Sequence, residues 1–179
     1  MGRRRRGELI SAEAMGRNYL TLIRGSASSK KGIYLQELGF VEGEFHRNGI
    51  ITGAGENHRR LKNYIRTSGG KIKFIDIDPA SIRVTKGVKL QDRIAFLQDF
   101  FDFLHKPDIK SPTPMVSAIA FKKYVEGYVR GLHEIPFGKP LSPQQQRIVD
   151  LYFIKTMEDF EFANSLVKKE REKMQAKKE

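Results

Sequence analysis

The chain has 179 residues, with 33 Lys and Arg against 21 Asp and Glu for a formal charge of +12, 12 Phe, 6 Tyr and no Cys. At about 100–200 residues per domain this excludes a large multidomain enzyme, and the missing thiols exclude a disulfide scaffold, a thiolate zinc site, an iron–sulfur cluster and a cysteine nucleophile. No apolar run approaches the roughly 20 residues that cross a bilayer, so the expectation is a folded protein without a membrane partner, cytoplasmic or nucleoid-associated.

Arg3, Arg4, Arg5 and Arg6 form a charge cluster that cannot bury itself, so residues 1–8 read as a basic flexible tail. Residues 9–17 suit a short helix, and Tyr19-Leu20-Thr21-Leu22-Ile23 is rich enough in β-formers for a strand. Gly25 to Gly32 then reads as a polar loop carrying Lys30 and Lys31, and Ile33 to Phe40 as a short element, helix or strand. Glu44 to Thr52 reads as a hairpin turning at Asn48-Gly49, because Asn-Gly supplies the positive φ angles of a type I′ turn. Asn57 to Thr67 predicts a helix closing at Ser68-Gly69-Gly70, with Leu61, Tyr64 and Ile65 on one side and Arg59, Lys62, Asn63 and Arg66 on the other. Lys71 to Asp78 alternates with period two up to Pro79, which predicts a half-buried strand paired with Ser81 to Lys86.

Beyond residue 90 the period changes. Ile94, Leu97, Phe100, Phe101 and Leu104 predict a core helix over 91–105, stopped by Lys106-Pro107. A second helix is expected from Pro114 through Met115, Ile119, Tyr124, Tyr128 and Leu132, ended by Gly131 and Pro136. A third opens with Ser142-Pro143-Gln144-Gln145, a capping box in which the Ser hydroxyl and a Gln side chain exchange bonds with backbone N–H groups. Its apolar period continues to Leu166, and 169–179 is a charged tail. The expected fold class is therefore α+β: a basic β-containing part over 9–90 packed on a helical bundle over 91–168.

The charge is divided unevenly: residues 1–90 hold 18 basic and 8 acidic side chains, giving +10, while 91–179 hold 15 and 13, giving +2. Clustered cations that reach several phosphates together release condensed counterions, so this asymmetry points to DNA or RNA as the partner. The candidate contacts are Arg3, Arg4, Arg5, Arg6, Lys30, Lys31, Arg59, Arg60, Lys62, Arg66, Lys71 and Lys73. On a strand Lys71 and Lys73 share a face, so a helix face and a strand face would make one basic surface. Tyr19, Tyr34 and Tyr64 are candidates for stacking on unpaired bases, with core packing as the competing role. Gly53-Ala54-Gly55 before the expected helix lacks the spacing and lysine of a phosphate-binding loop, so it reads as a tight turn and no nucleotide cofactor is expected.

An enzyme needs convergent acids or metal ligands. Asp76 and Asp78 lie two apart on one strand face, and Glu42, Glu44 and His46 repeat that spacing, which offers a metal-dependent nuclease as the catalytic alternative. Gly32-Ile33-Tyr34 and Tyr64-Ile65-Arg66 resemble the halves of the GIY-YIG nuclease signature, but Arg66 stands where that signature has Gly and the gap of about thirty residues is too long. Leu141 to Tyr152 resembles the first helix of the helix-turn-helix in sigma-factor and response-regulator output domains, yet the helical period runs on through Phe160 without the required turn. Neither resemblance defines a family. The leading expectation is a non-catalytic nucleic-acid-binding protein. The alternative is a subunit of a larger nucleoprotein assembly, whose C-terminal helices would meet a protein partner or a second copy.

Overall fold

The computed structural model describes residues 16–52, 61, 63–74, 82–105 and 116–158, and the fold is a mixed α+β one. The expected tail over 1–8, most of the helix over 9–17, and the charged end beyond 158 lie outside these residues. After strand β1 (Arg17–Asn18), the Asn18 side chain accepts the Thr21 backbone N–H at 2.9 Å and starts helix α1 (Tyr19–Gly25). A strand was expected here. The cap, together with Tyr19, Leu20 and Ile23 buried at helical spacing, overrides the β propensity of the segment.

Helix α2 (Ser28–Arg47) replaces the expected polar loop, the short element and the first arm of the hairpin with twenty continuous residues. It stops where the hairpin turn was expected. The Asn48 and Gly49 N–H groups donate to the carbonyls of Glu44 and His46 at 3.1 Å, and Gly49 adopts φ +72°, so Asn-Gly closes a helix instead of turning a hairpin. Strand β2 (Ile50–Thr52) then pairs antiparallel with β5 (Ile82–Val84), Ile50 facing Val84.

Strand β3 (Tyr64–Arg66) lies between β1 and β4 (Ile72–Phe74), with Arg17 opposite Arg66 and Arg66 opposite Ile72. Two expectations are corrected here: 64–66 is strand where a helix was expected, and β4 pairs with β3, leaving β5 to β2. Tyr64 and Arg66 both reach α2, at Glu42 and Glu37, and only a period of two aims residues i and i+2 the same way. Residues 53–60 and 75–81 are outside the described residues.

Helix α3 (Leu90–His105) forms where its period predicts, burying Phe96, Leu97, Phe100, Phe101 and Leu104. Helix α4 (Ala118–Leu132) starts four residues after Pro114, because the Ser117 hydroxyl caps it by accepting the Ala120 N–H at 3.2 Å. Helix α5 (143–158) opens with the expected box: the Ser142 N–H donates to Gln145 Oε1 at 2.8 Å, and the Gln145 N–H donates to Ser142 Oγ at 3.2 Å.

The core is centred on α2 and α4. A Cβ placed on Gly39 or Gly43 would lie 2.1 Å from the carbonyl oxygen of Tyr124 or Tyr128, and one on Gly127 or Gly131 would lie 1.9 or 2.0 Å from that of Gln36 or Phe40. Two glycines one turn apart on each helix thus let the backbones touch, and each glycine turns a hydrogen toward a carbonyl, the arrangement of a weak Cα–H···O contact. Because the contacts advance together along both chains, the two helices run parallel. Aromatic rings then seat α3 and α5 on α4: Phe100 lies 4.5 Å from Tyr124, Phe101 lies 4.8 Å from Phe121, and Tyr152 meets Tyr128 edge-on at 6.0 Å between centroids.

Candidate nucleic-acid interface

The sheet β1-β3-β4 has one face on α2 and one outward. Inward, Arg66 donates through Nε and one Nη to the two oxygens of Glu37 at 2.9 and 3.0 Å, and Glu37 also accepts the Tyr19 hydroxyl at 2.8 Å. The Tyr34 ring lies under the same guanidinium at 5.7 Å. Arg66, expected on a solvent-facing helix side, is thereby committed to an internal ion pair, which raises its pKa through the Glu37 hydrogen bond. Of the three tyrosines considered for stacking, Tyr19 and Tyr64 are fully buried, so their rings are core and cannot meet a base.

The acids offered as metal ligands are also structural. On a helix Glu42, Glu44 and His46 do not share a face as they would on a strand; Glu42 and His46 project together and Glu44 elsewhere. Glu42 is buried and accepts the Tyr64 hydroxyl at 2.7 Å and the Thr52 hydroxyl at 3.5 Å, while His46 Nδ1 meets the Tyr128 hydroxyl. Among the described residues no group of three His, Asp or Glu side chains is arranged to hold a metal. Asp76 and Asp78 lie outside them.

Outward, the period of β4 leaves Lys71 and Lys73 exposed, as the alternation predicts. Lys30 is exposed and Lys31 half-buried, but both sit in the first turn of α2, not on a loop. Arg3, Arg4, Arg5, Arg6, Arg59, Arg60 and Lys62 lie outside the described residues. The structure adds exposed cations that the sequence reading passed over: Arg17 on β1, and Arg83, Lys86 and Lys89 along β5 and the approach to α3. Their spacing of three, Arg83-Val84-Thr85-Lys86-Gly87-Val88-Lys89, is the signal that could have found them.

Two kinds of titrating group set the pH range of the fold. Burial, followed by the charge of Glu37, pushes the Tyr19 phenol above its ordinary value, and burial does the same to Tyr128. Glu126 is pulled the other way: burial acts to raise its carboxyl, but hydrogen bonds from Lys123 and Arg130 hold it below the usual carboxylate range. A raised folded pKa contributes stability below the unfolded value and loses it as pH rises, so the phenols predict weakening above about pH 10. Glu126 contributes above its unfolded value and loses that contribution as pH falls below about 4. In an absorbance titration at 295 nm, Tyr19 and Tyr128 are expected to ionise only together with the loss of the circular dichroism signal. Smooth ionisation of all six tyrosines in the folded protein would contradict their burial.

Among the described residues no helix is long and apolar enough to cross a membrane. Compared with known proteins, the chain matches no family model, no curated protein and no solved structure.

Proposed function

We propose that the chain is a non-catalytic nucleic-acid-binding protein that holds a phosphate backbone with cations before residue 90, the Arg3 to Arg6 cluster acting as an arm and the C-terminal helices as a bundle behind them. One contrast supports this reading. In the second half, Lys122 pairs with Asp150 at 2.8 Å, Lys123 and Arg130 pair with Glu126 at 2.9 and 3.1 Å, and Lys155 pairs with Glu158 at 2.9 Å. In the first half Arg47 and Arg66 pair with Glu134 and Glu37, but seven cations, Arg17, Lys30, Lys71, Lys73, Arg83, Lys86 and Lys89, are exposed and form no ion pair among the described residues, against two such, Lys139 and Arg147, in the second. Cations balanced by carboxylates gain little from a phosphate, whereas uncompensated ones release its counterions.

If about four phosphates are neutralised, affinity for duplex DNA is expected to fall roughly 150-fold between 50 and 200 mM salt. A fluorescence-anisotropy titration checks this. Absence of binding at 50 mM salt, or affinity independent of salt, would remove the proposal.

A second reading, a subunit of a nucleoprotein assembly, is favoured by the groove of about 400 Å³ between α3 and α5, whose apolar wall includes the half-exposed Leu90 and Leu151. It predicts that the protein isolated from its cell carries a defined protein partner along with nucleic acid. Isolation without one would speak for the first reading alone.

A further inference from the structure

A cavity of about 410 Å³ opens between the middle of α2, the turn joining β3 to β4, and the segment after α4. Its size falls in the range of small-molecule sites. Ile33, Ile72 and Phe137 supply apolar walls, and Gln36, Glu37 and Arg130 supply polar ones. Ile33 and Phe137 are 54% and 47% exposed, more than their apolar surface warrants in a closed core. One part of the Phe137 ring rests on Phe40, centroids 4.9 Å apart, and the rest is open.

The charges within the walls are already spent on the protein. Glu37 takes Arg66 and Tyr19, and Arg130 donates to Glu126 and to the carbonyls of Pro136 and Lys139. The cavity therefore has no strong charge of its own to offer a ligand. What it offers is a flat apolar surface and the Gln36 side-chain amide, which spends one N–H on Glu126 at 2.8 Å.

The charge lies around the mouth. Lys30 is one turn before Ile33 on the same side of α2, and Lys139 follows the lining Gly138. Both are exposed and neither forms an ion pair among the described residues. A ligand that fits has a flat ring with a hydrogen-bonding edge and carries its anionic groups outside the ring, which is the chemistry of a nucleotide unit.

We propose that this cavity takes one unstacked base of a single strand, laid against Phe137 with its edge at Gln36, while the flanking phosphates meet Lys30 and Lys139. A base in a duplex is stacked and paired and cannot enter. The inference rests on the nucleic-acid reading above and narrows it to single strands.

The test is anisotropy at 100 mM salt with labelled U12, labelled dT12 and a 12-base-pair duplex, and with UMP as competitor. The single strands are expected to bind at least about tenfold more tightly than the duplex, and Phe137→Ala to weaken them about tenfold without changing the duplex. Ile33→Glu, which sets a carboxylate at the mouth on an exposed helix position, is expected to act in the same direction. It serves as the second variant should Phe137→Ala lose the native circular dichroism spectrum. Wild-type affinity of both variants for U12 and dT12 would overturn the cavity and leave the backbone-binding proposal standing. Failure of the native protein to bind any of the three nucleic acids would overturn both. Displacement of U12 by UMP at equal nucleotide concentration would uphold the cavity and assign it to a free nucleotide, overturning the single-strand source.

Discussion

Gly127→Leu is expected to abolish the folded state. A Cβ at this position would sit 1.9 Å from the Gln36 carbonyl oxygen and 2.7 Å from its carbon, both backbone atoms of α2 that no rotamer change can move. The helices would have to part along the length over which Gly39, Gly43 and Gly131 hold them together. Overpacking a core ordinarily costs about 1–3 kcal/mol, and a backbone clash at the main helix contact exceeds that range. A cost of about 5 kcal/mol or more removes most of the stability of an ordinary domain. Gly32→Ala is the matched control on the same helix pair. Its Cβ would meet only the Lys123 side chain at 3.5 Å, an ordinary contact, and alanine is the better helix former, so stability is expected to rise by about 0.5–1 kcal/mol. Urea melts followed by circular dichroism measure both. A Gly127→Leu protein that melts like the native one would show that α2 and α4 do not touch through these glycines.

The second large effect is expected at Arg130, whose side chain is only 8% exposed. Its Nε and one Nη donate to Glu126 at 3.2 and 3.1 Å, and the other Nη donates to the carbonyls of Pro136 and Lys139 at 3.0 and 2.9 Å. Arg130→Ala leaves a half-buried carboxylate with only Lys123 and Gln36 as donors, the Lys139 carbonyl without its Arg130 donor, and the Pro136 carbonyl with the Lys139 N–H alone. Breaking a buried pair from one side costs about 3–5 kcal/mol. Arg130→Lys is expected to recover little of this, since one ammonium cannot span a carboxylate on its own helix and two carbonyls of the following segment. The same substitution releases residues 136–139 from α4, so Phe137 should lose its fixed seat on Phe40, visible as altered ring resonances of both. Equal urea midpoints for the native protein and the Lys variant would mean that the fork geometry contributes nothing.

The legible parts of the fold were those whose signals are local. Phe96, Leu97, Phe100, Phe101 and Leu104 carry α3 in their own spacing, and Ser142 with Gln145 carries the start of α5 in four residues. Helix α2 was missed for a physical reason. The face it turns to α4 is made of Gly39 and Gly43, residues with neither helix propensity nor an apolar side chain, so the contact that holds the core left no hydrophobic period to read. Asn48-Gly49 misled for a related reason, because a type I′ turn and a helix C-terminus ask for the same positive φ and only the upstream elements distinguish them. Tyr64-Ile65-Arg66 has an apolar spacing that suits a helix. Its extended form is fixed by Glu42 and Glu37, more than twenty residues away. In the candidate interface the strand alternation of Lys71 and Lys73 was legible, whereas the pairing of Arg66 and the cavity beside Phe137 depend on segments brought together only by the fold.

The parallel course of α2 and α4 has an electrostatic consequence. In an antiparallel pair the peptide dipoles of neighbouring helices oppose one another, but here they add, and each helix start contributes roughly half a positive charge. Gly32 lies against Lys123, so both starts fall at one end of the pair, where the exposed Lys30 also stands. This end of the helix pair is thus a local positive pole. Under the nucleic-acid proposal, a polyanion would meet this pole with its field already oriented toward it.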